Sequence, residues 1–172
     1  MGASTWVLAA LLASSSGAWG AGQPLTVSER LVQLADVLGK QSTYTSRQKI
    51  QAIEEIGRIR TISGLAESLL FQRGNPLFET DPLVREAAAL NLQFVCEPRN
   101  RRTALRLARF AAPANEPDGR VRIAALKSLA SFQTSEAAQK IYDATEEIKE
   151  PDAEVRAVAS ALIQKGLAAG IY

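Results

Sequence analysis

Three aspartates each stand four positions before an arginine: Asp81 and Arg85, Asp118 and Arg122, Asp152 and Arg156. On a helix that spacing is about one turn, so the two charges of a pair share a face. Such a pair could sit in an active site. It could also build a ladder of charge-assisted hydrogen bonds between neighbouring units of the fold. A second cluster is cationic, comprising Arg99, Arg101, Arg102, Arg106 and Arg109. Within it Arg102, Arg106 and Arg109 follow helical i, i+4, i+7 spacing and form one stripe. An arginine stripe suits the phosphates or carboxylates of a partner. The competing expectation is a solvated helix face balanced by Glu79, Glu97 and Glu116. Only Phe110 interleaves with these arginines, which is poor support for stacking on nucleic-acid bases.

Other chemistry is scarce. There is no histidine, which removes the commonest general base and every Ser-His or Cys-His arrangement. The single cysteine, Cys96, rules out an intramolecular disulfide and a multi-cysteine zinc site. Its expected role is a small buried hydrophobe near a helix end. Glu54-Glu55 and Glu146-Glu147 are adjacent pairs, and neighbours on a helix diverge by about 100°, so neither pair converges on one substrate atom. No glycine-rich phosphate loop or serine-nucleophile motif is present. A net charge of +2 is too small to imply nucleic acid or an acidic membrane as partner. No cofactor and no metal site are expected.

The elements that must carry these residues are helices. Asp118-Gly-Arg-Val-Arg122 leads into Ile-Ala-Ala-Leu-Lys-Ser-Leu129, and Asp81-Pro-Leu-Val-Arg85 and Asp152-Ala-Glu-Val-Arg156 lead into similar runs. Thr45-Ser-Arg-Gln-Lys49 is a degenerate fourth copy, with Thr45 and Lys49 for Asp and Arg. The starts at 45, 81, 118 and 152 are 36, 37 and 34 residues apart, a period typical of helical repeat arrays. Each motif opens a helix B. The acidic residue is expected to cap its free N–H groups, and Pro82 suits the first helical position. The pattern in the degenerate copy fades at Gly57. Between motifs, apolar spacing predicts a helix A over 62–72, 100–111 and 135–149, the last through Ile141, Ala144 and Ile148. Thr26-Val-Ser-Glu29 fits a capping box opening the first helix, which Gly39 ends. Prolines 76, 98, 113, 117 and 151 fall between these helices, where they cost little. The unit is helix A, loop, helix B, four times over, and neither helix can bury its apolar face without its neighbours. The arginines of the motif are expected to reach from one repeat to the next.

Residues 1–20 carry no charge. Trp6 to Ala13 is a short apolar run, Ser14 to Gly17 breaks it, and small residues follow. This is a signal-peptide pattern, with cleavage expected after Gly20 or Ala21 and residues 21–25 as a linker. The run is too short for a stable membrane span. The missing lysine or arginine before it argues against export, and the competing expectation is a disordered apolar end or an extra helix on the first repeat. Export would make the protein periplasmic or secreted.

The signature Asp-x-x-Val-Arg, followed by alanines and leucines at helical spacing, resembles the HEAT repeat in its short bacterial variety, which also occurs in bilin lyase subunits. The resemblance covers nearly all of residues 25–170. It implies an all-α fold over 26–172, a right-handed α-α superhelix (α-solenoid) of about four helical hairpins, with B helices on the concave, ligand-facing side. Thr45 and Lys49 depart from the signature, as a terminal capping repeat would. On that geometry the concave candidates are Ile50, Glu54, Glu86, Leu90, Ile123, Lys127, Ala157 and Ala161. Leu90 and Ile123 would lie at the centre, unless they are core between repeats. The family's members are mostly scaffolds and adaptors. The resulting expectation is a non-catalytic exported scaffold that binds another protein or peptide, as a monomer or within a larger complex. The alternatives are a cytosolic enzyme or subunit of the HEAT-like lyase or glycosylase type, and a structural spacer.

Overall fold

A computed structural model describes residues 25–39 and 43–169. The expected signal peptide over 1–20 and most of the linker lie outside the described residues. Among those described there are eight helices and no strand. They are α1 (Val27–Val37), α2 (Ser46–Ile59), α3 (Gly64–Arg73), α4 (Pro82–Val95), α5 (Arg101–Phe110), α6 (Gly119–Leu129), α7 (Ser135–Asp143) and α8 (Ala153–Ala168).

The helix starts are encoded locally. Thr26 and Thr45 each close a capping box, with Glu29 and Gln48 as the reciprocal partners. Asp81, Asp118 and Asp152 each accept the N–H two residues on, from Leu83, Arg120 and Glu154. Asn100 and Thr134 cap α5 and α7 by accepting the N–H three residues on, from Thr103 and Ala137. Two boundaries differ from the periodicity. Gly57 does not end α2, which runs on to Ile59 and stops at Arg60 in a left-handed conformation, φ 49°. Gly57 is there for contact: a Cβ on it would lie 2.0 Å from Oδ1 of Asn91 on α4. The helix expected over 135–149 closes at Asp143. Thr145 turns its hydroxyl back to the Tyr142 carbonyl, and the N–H of Glu150 reaches the Glu146 carbonyl. Ile148 lies in that turn at 92% exposure, so its apparent helical spacing is fortuitous.

Packing is neighbour to neighbour. The even helices stack in chain order, α2 on α4, α4 on α6 and α6 on α8, while α3, α5 and α7 each pack against the even helix that follows. The core runs through this stack as one cluster, from Leu31 and Leu34 through Ile53, Ile56, Leu92, Leu107, Leu126 and Leu129 to Val155 and Ala159. Each fully buried Leu or Ile contributes roughly 1.5–3 kcal/mol by leaving water. That burial requires a neighbouring helix, so the sequence repeat and the stack are two expressions of one constraint.

Candidate interaction surfaces

The repeated charges are structural first. Arg85 places Nε and Nη2 on the two carboxylate oxygens of Glu116, at 2.8 and 2.9 Å. Arg122 grips Glu150 in the same fork, both bonds at 2.9 Å. The third nitrogen, Nη1, donates to two carbonyls of the arginine's own loop: Glu79 and Thr80 for Arg85, Glu116 and Pro117 for Arg122. Each glutamate also accepts the N–H of the capping aspartate two residues on, at 2.9 Å in Asp118 and 3.0 Å in Asp152. One rung thus joins an arginine, the next repeat's glutamate and that repeat's helix cap. Arg85 and Arg122 do reach between repeats, as their recurrence predicts, whereas among the described residues Arg156 bonds only to carbonyls of its own loop. What sequence reasoning missed is the receiving group. The signal was present, because a glutamate precedes each aspartate by two in Glu79, Glu116 and Glu150.

The first rung is built differently. Lys49 donates to Glu79 at 2.9 Å, and buried Arg73 approaches the same oxygen at 3.4 Å. Lysine is a point charge without a fork, and the second cation comes from within the hairpin. Burial drives the Glu79 carboxyl upward, but Lys49, the Asp81 N–H and Arg73 outweigh it, and its pKa lies below the ordinary value. Asp81 is also held low, first by the Ser46 hydroxyl of the preceding repeat and then by N–H groups of its own helix. Among the described residues, Nε and Nη2 of Arg73 have no hydrogen-bond partner.

The arginine stripe is positioned as expected but is partly engaged. Arg102, Arg106 and Arg109 are all exposed on α5. Arg106 lies 3.8 Å from the centroid of the Phe71 ring and pairs with Glu67 at 3.2 Å, so it ties α5 to α3. Arg101 pairs with Glu136 and ties α5 to α7. The expected balancing carboxylates were misassigned. Glu79 and Glu116 are buried in rungs, and Glu67 and Glu136 do the balancing. Neither Arg102 nor Arg109 has a carboxylate partner among the described residues, so two cations of the stripe remain available.

The even helices present a regular outward row. Counting from each cap, the fifth position holds Ile50, Glu86, Ile123 and Ala157, and the ninth holds Glu54, Leu90, Lys127 and Ala161. The ninth residue is exposed in all four copies. At the fifth, Ala157 is exposed, Glu86 is half-buried, and Ile50 and Ile123 pack partly against the core. Leu90 is 37% exposed. Leu90 therefore belongs to the surface, whereas Ile123 is shared with the core. The second position extends the row with Arg47, Leu83, Arg120 and Glu154, all exposed, which sequence reasoning did not single out. Leu83 and Leu90 lie two turns apart on one face, flanked by Glu86 and by Arg120 and Lys127 of α6. Arg120 forks onto its own Asp118, which holds that carboxyl below its ordinary value.

Cys96 is buried, and burial pushes its thiol up to about 12. It is therefore protonated near neutrality, and a thiolate is the form that reacts. Among the described residues no helix is long and apolar enough to cross a membrane, and no group of three or more potential ligands could hold a metal ion. Comparison with protein-family models, curated proteins and solved structures finds no match.

Proposed function

We propose that this chain is a non-catalytic scaffold, a right-handed α-α superhelix of about four HEAT-like hairpins that binds another protein or peptide along the outward row of its even helices. The observation that supports this reading is a division of labour within the repeat. Positions that hold the stack together recur from copy to copy: Asp81, Asp118 and Asp152, Arg85, Arg122 and Arg156, and the glutamates before them. The outward ninth position differs in every copy, from Glu54 to Leu90 to Lys127 to Ala161, and the second and fifth vary too, repeating only in Arg47 and Arg120 and in Ile50 and Ile123. A surface that varies on a frame that does not is suited to recognising an extended, non-repeating partner. Leu83 and Leu90 supply the apolar centre, and Glu86, Arg120 and Lys127 supply the charged rim that selective interfaces use. The uncharged segment 1–20 supports export to the periplasm or beyond.

The test is site-specific cross-linking in the native host. A photoreactive residue in place of Leu90 or Lys127 is expected to trap one reproducible partner, and the same probe at exposed Leu105 on α5 is not. Equal labelling from both sites, or none from either, would refute the reading. N-terminal sequencing of the fractionated native protein tests export.

A further inference from the structure

The last even helix carries a face that the other three bury. Eight positions past the cap stand Ile53, Ala89 and Leu126, each with no exposed surface, whereas Ser160 of α8 is exposed. Eleven past the cap stand Ile56, Leu92 and Leu129, again fully buried, whereas Ile163 is only partly so. Four past the cap, Arg85 and Arg122 are buried in their forks, whereas Arg156 is half-exposed. Arg156, Ser160, Ile163 and Leu167 are spaced by four, three and four residues, so they form one stripe along α8. Leu167 is 59% exposed. In α2, α4 and α6 the positions matching Ser160 and Ile163 are fully buried, while the position of Leu167 falls past the ends of all three, which are shorter.

Arg156 is already in the posture of its two counterparts. Its Nη1 donates to the carbonyls of Glu150 and Pro151, both at 2.8 Å. The same anchoring through Nη1 leaves Nε and Nη2 of Arg85 and Arg122 pointing at a glutamate. On Arg156 that edge has no carboxylate partner among the described residues. The molecule thus shows twice what chemistry fits this edge: a carboxylate held in the plane of the guanidinium, beside an apolar stripe.

We propose that the outer face of α8 is a docking site for an acidic segment of another protein. The segment presents a glutamate to Nε and Nη2 of Arg156 and an apolar side chain to Ile163 and Leu167, as the next repeat's Glu-x-Asp turn and helix do elsewhere in the stack. A second copy of this chain is the poorer occupant. Its first even helix carries Thr43 two residues before the Thr45 cap, where the other three carry glutamate. The site is separate from the outward row, so it stands or falls independently of the proposed binding there.

The probe is a fluorescent peptide copying residues 112–131, which contains the Glu116-Pro-Asp118 turn and α6, titrated against the full chain by anisotropy. Saturable binding is expected. Replacing Glu116 by Gln in the peptide, or Arg156 by Gln in the protein, is expected to weaken it by about tenfold or more, the scale of a charge-assisted pair. Ser160→Arg, which fills the face without touching the core, is expected to abolish it, with an unchanged thermal midpoint showing that the protein is folded. No binding by the wild-type chain, or binding indifferent to Arg156→Gln and Ser160→Arg, overturns the proposal. Sedimentation of the chain alone completes the test. Concentration-dependent self-association that Ser160→Arg removes would make the occupant a second copy and overturn the assignment to a foreign segment, whereas a monomer across the range agrees with it.

Discussion

A single residue type, arginine, takes three roles here, and its surroundings decide which. Arg122 is 4% exposed and its partner Glu150 is 1% exposed, so deleting the arginine leaves a buried, uncompensated carboxylate. Arg122→Ala is expected to lower stability by about 3–5 kcal/mol in chemical denaturation. Arg120→Ala, two residues away, removes only a solvent-screened pair with Asp118 and is expected to leave stability nearly unchanged. An equal loss for the two variants would show that the rung carries no special weight. The third role is that of Arg102 and Arg109, which have no carboxylate partner among the described residues. Acid should expose the rungs through their carboxylates. The folded pKa values of Glu79 and Asp81 are depressed, so their contribution is present above the unfolded values, roughly 4, and is lost as pH falls through the lower folded ones. Asp81→Asn keeps a competent helix cap but cannot titrate. Its urea midpoint is expected to fall less than that of the wild type between pH 7 and pH 3.

At the scale of the helix, a decisive contact is the close approach of the α2 backbone to a side chain of α4. Gly57 lies in the interior of α2, where alanine would ordinarily add about 1 kcal/mol of helix stability. Here the added methyl would collide with the Asn91 side chain, whose amide donates to the Ala87 carbonyl. Gly57→Ala is therefore expected to be net destabilising by about 1–3 kcal/mol, the usual cost of overpacking. Adding Asn91→Ala should recover most of that loss. A double-mutant cycle with no coupling between the two sites would refute the close-approach reading. The helix starts were legible in sequence because a cap is a local hydrogen bond, as at Thr26, Thr45, Asp81 and Asp118. The end of α7 was not. Ile148 has the right spacing for a helix, and only the turn at Tyr142–Glu150, fixed by where the Glu150 rung must sit, shows that it is outside one.

For the molecule as a whole, stability should be graded along the stack. The helices α4 and α6 are packed by an even helix on both sides, whereas α1 packs chiefly on α2 and α8 lacks an outer neighbour among the described residues. In a linear array each unit depends on its immediate neighbours, and local opening is easiest where neighbours are fewest. Amide hydrogen exchange is expected to be slowest in α4 and α6 and faster in α1 and the second half of α8. Uniform protection from end to end would contradict a nearest-neighbour assembly.

The sequence by itself determined the period near 36 residues, the approximate helix starts, the caps of α1 and of the even helices, and the helical identity of almost every element. These follow from interactions within one or two turns, which a linear reading can see. It also pointed to cross-repeat partners for the motif arginines, which among the described residues Arg85 and Arg122 have and Arg156 does not. The tertiary structure alone decided which carboxylates receive them, that Gly57 marks a contact and not a stop, that Leu90 is surface while Ile123 is shared with the core, and that α8 ends the described stack with a rung half made. Each of those depends on residues about 30 positions apart meeting across a packed interface, where distance in the chain says nothing and the shape of the neighbouring helix says everything.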